Sequence, residues 1–115
     1  MPEATRTARI VLSTAGNARE AGRIARTLVE EGLAACATMI PEIESIYRWE
    51  GKIESAAETL LLIKTEECQL AALETRLHEL HSYTTPELLV LNVEAGSHPY
   101  LEWLTASLRR AGNGS

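Results

Sequence analysis

The sequence predicts a single α+β domain with the ferredoxin-like order β-α-β-β-α-β, followed by one further helix. Three observations support this class. The 115 residues suit one domain, two segments have the apolar spacing of amphipathic helices, and apolar runs of strand length lie around them. Right-handed connections would place the two main helices on one face of a four-stranded antiparallel sheet.

The first half of this plan begins after a short N-terminal segment, residues 1–7, that we expect to be frayed. The apolar run at 9–14 predicts a buried strand. A helix should then span 17–31, because Asn17 is followed three positions later by a glutamate, as in a capping box. Gly32 suits the C-terminal cap of this helix.

A long β-hairpin is expected in the middle of the chain. Residues 33–48 have a β-like composition, with Pro41 marking a bulge or an edge position. A tight turn containing Gly51 reverses the chain into a second strand, which covers 53–64.

The last third supplies a helix, a strand and the additional helix. Leucines at helical spacing predict the second helix over 66–81, and an apolar run predicts the fourth strand over 87–93. Ser97 and Pro99 mark the start of a final helix that should reach about Ala111. The domain organisation is therefore a frayed segment at 1–7, one domain at 8–111 and a frayed tail at 112–115.

Two predicted strands contain unbroken apolar runs, at 60–63 and 88–91. A sheet with one wet face should alternate apolar and polar residues, and two helices can cover only one face. Another copy of the chain is the simplest cover for the second face, so the sequence predicts an oligomer. The C-terminal helix folding under its own sheet is the alternative.

The aromatic residues lie at the ends of predicted elements, and none lies within an apolar run. Tyr and Trp suit half-wet rims and interfaces, because each combines a large apolar body with a polar group. Tyr47 and Trp49 are predicted to anchor the hairpin tip on the next subunit. Tyr100 and Trp103 should cover a sheet edge and are predicted as two further interface anchors, and Tyr83 precedes a turn.

Charge and cysteine content exclude several partners and compartments. The net charge is -5, which disfavours nucleic acid and anionic membranes. Cys36 and Cys68 form no CxxC motif, which indicates free thiols in a reducing compartment. The start of the chain lacks the pattern of a signal peptide, and no apolar stretch approaches the roughly 20 residues that cross a bilayer. We expect a cytoplasmic protein.

Short motifs along nearly the whole chain, from about residue 8 to 110, carry a family resemblance. They are LAACAT at 33–38, IP at 40–41, SIY at 45–47, WEGK at 49–52, IKT at 63–65, HSY at 81–83, TPE at 85–87 and YLEWL at 100–104. In this order and spacing they resemble the CutA family of divalent-cation tolerance proteins. The resemblance implies a compact homotrimer of ferredoxin-like domains, with strands that continue across subunit boundaries.

The resemblance also implies copper binding, through a thiol at the end of the first strand and two adjacent imidazoles. This sequence has Ser13, Leu80 and His81 at those positions, so only His81 retains a suitable donor. No cofactor is expected to be required, and a divalent cation such as copper is the metal partner implied. For His81 the alternatives are a C-capping role and a metal pair with His78, three positions earlier.

A cleft between subunits is the predicted ligand site, suited to a small anion or carboxylate. An ordinary ion pair of Lys64 with a glutamate, Glu58 or Glu87, is the alternative interpretation, and Cys36 is more simply a packed thiol. The predicted cleft residues are Cys36, Lys64, His81, Tyr83 and Glu87.

Three functions follow from these features. The first is a non-enzymatic trimer linked to divalent-cation tolerance. The second is a small-molecule sensor resembling the PII-type trimers, although the sequence has neither a Gly-rich phosphate cradle nor a long loop. The third is an enzyme using Cys36 or His81, for which no nucleophile and base can be paired from spacing. We expect no enzymatic activity.

Overall fold

A four-stranded antiparallel sheet is the centre of the structure, a computed structural model that describes residues 3–4 and 7–109. In chain order the elements are β1 (Glu3–Ala4), β2 (Ala8–Ala15), α1 (Ala18–Glu30), β3 (Cys36–Trp49), β4 (Lys52–Glu66), a 3-10 turn (Glu67–Gln69), α2 (Leu70–Leu80), β5 (Leu89–Asn92), β6 (Ala95–Gly96) and α3 (His98–Ala106). The sheet order is β3-β4-β2-β5, and every neighbouring pair is antiparallel. The predicted ferredoxin-like class is therefore confirmed, with α3 as the extra helix.

The core lies between one face of this sheet and the helices α1 and α2. Its fully buried apolar side chains come from both layers, and burial of each valine, leucine or isoleucine among them contributes roughly 1.5–3 kcal/mol. These side chains are Val11, Ala15, Ala21, Ile24, Leu28, Leu61, Ile63, Leu73 and Leu77.

Helix α1 begins and ends where its capping residues predict. The side chain of Asn17 accepts a hydrogen bond of 2.8 Å from the backbone N–H of Glu20, which satisfies a free donor at the helix start. At the other end Gly32 adopts φ +73°, and Leu33 N–H donates to the carbonyl of Leu28. This is a glycine-terminated helix end, as the sequence predicted.

The long hairpin of β3 and β4 contains the predicted irregularity at Pro41. The cross-strand register runs to the pair Ile40 and Leu60 and resumes at Ile43 and Glu58, so β3 carries one extra residue. Pro41 has no N–H to donate, and Glu42 adopts φ +57°; both features fit a β-bulge.

The bounds of α2 and β5 and the capping bond expected at Ser97 differ from the structure. Helix α2 begins at Leu70 instead of 66, because Glu66 still pairs with Ala8 in the sheet and a 3-10 turn follows it. Strand β5 covers only Leu89–Asn92 instead of 87–93. Ser97 occupies the N-cap position of α3, but its side chain makes no capping hydrogen bond.

The two ends of the chain also differ from expectation. Helix α3 ends at Ala106 instead of continuing to Ala111, because Arg109 N–H donates to the carbonyl of Gly32 and the chain must leave the helical path to reach it. Within the segment expected to be frayed, Glu3–Ala4 pairs with β6. Residues 1–2, 5–6 and 110–115 lie outside the described residues, including the predicted tail at 112–115.

Two glycines make a matched test of the helix α1 geometry. A Cβ on Gly22 would meet open space, so Gly22→Ala should raise the free energy of unfolding by about 0.5–1 kcal/mol. A Cβ on Gly32 would lie 2.9 Å from the Cβ and N atoms of Arg109. Because Gly32 also has a positive φ, Gly32→Ala should lower the free energy of unfolding by at least about 1 kcal/mol. Urea unfolding at one fixed protein concentration measures both, and a stabilising Gly32→Ala would contradict this geometry.

Candidate functional site

The apolar run in β4 serves two different faces of the sheet. Leu61 and Ile63 are fully buried against the helices, whereas Leu60 and Leu62 point to the opposite side and are only half-buried. The unbroken pattern is therefore explained by two apolar faces, of which the helices cover one.

The second face, which we call the open face, is largely uncovered within one chain. Leu89 and Leu91 of β5 lie on it with exposed fractions of 56% and 47%, and Ile40 of β3 is also exposed. Helix α3 covers only one end, where Leu101 packs with Ala8. The C-terminal helix thus folds partly under its own sheet, but it leaves an apolar surface of a kind that marks interaction sites.

The four predicted interface anchors are all substantially exposed in the single chain. Past the bulge, the register places Tyr47 and Trp49 on the open-face side of β4, and Trp49 is 62% exposed. The Tyr100 and Trp103 rings lie 5.4 Å apart, and the Tyr100 hydroxyl lies 3.9 Å from Cys36 Sγ. Their role as contacts to another subunit stays a prediction.

His81 lies in a hydrogen-bonded cluster at the opposite end of the sheet from α3. It is the C-cap residue of α2, since its backbone N–H donates to the Leu77 carbonyl. Its ring is buried: Nε2 lies 2.7 Å from the carbonyl oxygen of Thr14, and Nδ1 lies 3.0 Å from the backbone N of Tyr83. The capping interpretation of His81 therefore holds for its backbone, while its ring bonds elsewhere.

Two glutamates complete this cluster, and the sequence did not identify either of them as a site residue. Glu20 accepts a hydrogen bond of 2.7 Å from Ser82 N–H. Burial raises the pKa of Glu20, but hydrogen bonds from Ser82, the nearby ring of His81 and a hydrogen bond from Gly16 outweigh it and hold the pKa below its ordinary value of 4.5. The Tyr83 hydroxyl donates to Glu58 at 2.8 Å; burial and this acceptor raise the pKa of Tyr83 to about 12.

The five predicted cleft residues form two groups within one chain. Lys64 Nζ donates to the Thr38 hydroxyl at 2.6 Å, and Cys36 lies directly opposite Lys64 in the sheet. Lys64 and Glu58 are six positions apart in β4, which is about 20 Å of extended strand. Cys36 and Lys64 therefore lie far from His81 and Tyr83, and the suggested ion pair of Lys64 with Glu58 does not form.

The remaining cleft residue, Glu87, has an exposed side chain. Its carbonyl oxygen accepts a hydrogen bond of 2.7 Å from the buried hydroxyl of Ser13. This bond ties the start of the β5 region to β2.

The residues at the implied copper positions do not fit a copper site. The Ser13 hydroxyl is used in its bond to Glu87, Leu80 has no donor atom, and both ring nitrogens of His81 have hydrogen-bonding partners. The ring of His78 is exposed, with Nε2 4.0 Å from a Glu74 oxygen, whereas the ring of His81 is buried. Across residues 3–4 and 7–109, no group of three or more His, Cys, Asp or Glu side chains is arranged to hold a metal ion.

Comparisons with known proteins indicate the same family over nearly the whole chain. Residues 9–107 match the family model described as CutA1 divalent ion tolerance protein. The divalent-cation tolerance protein CutA of Pectobacterium atrosepticum is 48% identical over 100 residues, which are 87% of this chain and 91% of that protein. The solved structure of CutA from Synechococcus elongatus PCC7942 aligns with a TM-score of 0.91 at 40% identity, covering 95% of this chain and 96% of that one.

A plant relative matches over a smaller share of its own length. The chloroplastic protein CutA of Arabidopsis thaliana is 47% identical over 92 residues, which are 79% of this chain and 50% of the plant protein. The chain thus spans about half the length of that relative. In the part of the chain that the structure describes, none of the helices has the length and apolar character needed to span a bilayer.

The lowered pKa of Glu20 predicts a specific loss of stability in acid. Because the folded-state pKa lies below the unfolded value, this stabilisation is complete above about pH 4.5 and is lost as the pH falls through the folded-state pKa. Glu20→Gln cannot titrate, so its stability should fall less steeply between about pH 6 and about pH 3. Urea unfolding across this range measures the difference, with the exposed Glu74→Gln as control. Equal slopes for the wild type and Glu20→Gln would refute the assignment.

Proposed function

Because the chain belongs to the CutA1 divalent ion tolerance family, we propose that it acts in divalent-cation tolerance as a non-enzymatic homotrimer. The observation that carries this proposal is the open face, an apolar sheet surface that one chain leaves in water. Divalent-cation tolerance is the role given in the names of its relatives.

A closed ring of subunits would cover two exposed parts of the single chain, the open face and the outer edge of β3. Covering Leu89 and Leu91 would contribute roughly 1.5–3 kcal/mol for each side chain that becomes fully buried. Among residues 3–4 and 7–109, β3 pairs with a strand on one side only, and such a sheet edge needs a cover. Head-to-tail contacts that close on themselves leave neither surface exposed, and the family resemblance favours three copies.

A ligand cleft between subunits accounts for the two separate groups of predicted residues. Cys36 and Lys64 lie well apart from His81 and Tyr83 along the strands of one chain, so one site could contain both groups only if two subunits contributed. In the proposed cleft Lys64 of one copy faces the exposed Tyr83 and Glu87 of the next, beside the buried ring of His81. The lysine provides the positive charge that a small anion or carboxylate ligand requires.

The proposal includes no catalysis and no resident copper. Cys36 and His81 are too far apart within a chain for one to activate the other. The divalent cation is a partner in the proposed tolerance role, whereas the donors at the implied copper positions are engaged in hydrogen bonds. The net charge of -5 gives no attraction to nucleic acid or membrane, and we propose the cytoplasm as the location.

The sensor alternative is less well supported. The PII-type trimers that the sequence resembles in plan use a long mobile loop. Here the hairpin that would carry such a loop closes in a tight turn at Glu50 and Gly51.

The proposed trimer predicts a defined response to mutations on the open face. The full chain should sediment as a trimer at micromolar concentration, and Leu91→Glu should shift it to smaller species because a charge would be buried at the contact. Trp49→Ala, at an exposed site, should weaken assembly without affecting the subunit fold. Ala71→Glu on the exposed side of α2 adds the same charge and should leave the trimer intact. A wild type that stays a folded single chain when dilute would overturn the proposal.

The tolerance role predicts a growth phenotype that depends on assembly. In a bacterial strain lacking its own member of the family, expression of this chain should raise the copper or zinc concentration that halves growth. Leu91→Glu should give little protection, while Ala71→Glu should protect like the wild type. Equal growth with and without the wild-type chain would contradict the role, whatever the oligomeric state.

A further inference from the structure

We infer that His81 is a positioning residue, whose imidazole fixes the segment 82–87 between α2 and β5 and does not bind a metal ion. The inference rests on the hydrogen bonds inside one chain and is independent of the proposed trimer. It assigns a structural task to the one imidazole that the family resemblance connects with copper.

The partners of the ring specify where its proton lies. The carbonyl oxygen of Thr14, 2.7 Å from Nε2, can only accept, so Nε2 must donate. The backbone N–H of Tyr83, 3.0 Å from Nδ1, can only donate, so Nδ1 must accept. Both bonds are satisfied at once by a single tautomer, with the proton on Nε2 and the lone pair on Nδ1. Glu20 Oε2 lies 3.7 Å from Nδ1, which is beyond hydrogen-bond distance.

This arrangement leaves no free lone pair for a metal ion. Nε2 carries the proton, and the Nδ1 lone pair already accepts from Tyr83 N–H. The side chain of His81 is 0% exposed, so an ion could reach it only after the surrounding structure opened. Ligation would then leave a buried carbonyl or N–H without a partner, which is unfavourable.

The segment that follows His81 depends on such side-chain bonds. Residues 82–87 form no helix or strand, so no backbone ladder holds them. Glu20 of α1 accepts from Ser82 N–H, Glu58 of β4 accepts from the Tyr83 hydroxyl, and Ser13 of β2 donates to the carbonyl of residue 87. The His81 ring adds its bonds to β2 and to Tyr83, and it contacts the Tyr83 ring with a centroid distance of 4.7 Å.

The first test needs no mutation. In long-range ¹H–¹⁵N correlation spectra of the full-length wild type, His81 should show a pyrrole-like Nε2 and a pyridine-like Nδ1. The pattern should persist when Zn²⁺ or Cu²⁺ is added. A proton on Nδ1, or a metal-induced change confined to the His81 nitrogens, would overturn the inference.

The second test separates positioning from metal binding. In His81→Ala, the amide of Tyr83 loses its acceptor and should exchange with solvent about tenfold faster or more. The neighbouring amide of Ser82 keeps its bond to Glu20 but should also exchange faster, because the segment that carries both amides is no longer fixed. His81→Gln offers one donor and one acceptor and should restore much of the protection. His78→Ala removes an exposed imidazole from the same region and should leave these amides unchanged.

Calorimetric titration of the same proteins with Zn²⁺ and Cu²⁺ completes the test. The wild type and the well-folded His81→Gln should give the same heats. A saturable site that is present in the wild type and in His78→Ala but lost in His81→Gln would show that His81 is a ligand after all. Unchanged amide exchange in a folded His81→Ala would likewise refute the positioning role.

Discussion

The sheet has two apolar faces, but the helices of one chain cover only one of them. α1 and α2 bury the side that carries Leu61 and Ile63, while α3 is short and reaches only the end of the other side near Ala8. The exposure of Leu89 and Leu91 follows from this shortage. The proposed assembly, the roles of the aromatic residues and the cleft between subunits all depend on the same uncovered surface.

The two ends of the sheet have different characters. At the α3 end, Lys64 and Tyr100 approach Cys36 on the open face, and few hydrogen bonds constrain them. At the opposite end, the buried ring of His81 connects an irregular segment to β2 and brings it beside Glu20 of α1. The polar groups at this end make their hydrogen bonds within the chain. They therefore hold the local structure in place and are not available to bind a ligand.

The sequence predicted those features that local patterns encode. Apolar spacing and the cap at Asn17 located α1 within a residue of its observed ends, and Pro41 marked the bulge because a missing N–H cannot join a ladder. The partners of His81 could not be predicted, since Thr14 lies 67 positions away and the contact exists only after the sheet forms. The length of β4 separates Lys64 from His81 within one chain, so their grouping in the predicted cleft requires two subunits.

The bulge in β3 determines which face of the sheet the aromatic side chains of the hairpin tip occupy. Before it, even-numbered residues such as Ile40 lie on the open face; after it, odd-numbered residues such as Tyr47 and Trp49 do. One added residue thus reverses the parity of the strand, so the tip aromatics and the apolar sheet belong to the same side. A consequence is that this stretch can accept changes of side chain far more readily than changes of length. Removing a single residue beside Pro41 would turn both aromatic rings to the back of the hairpin.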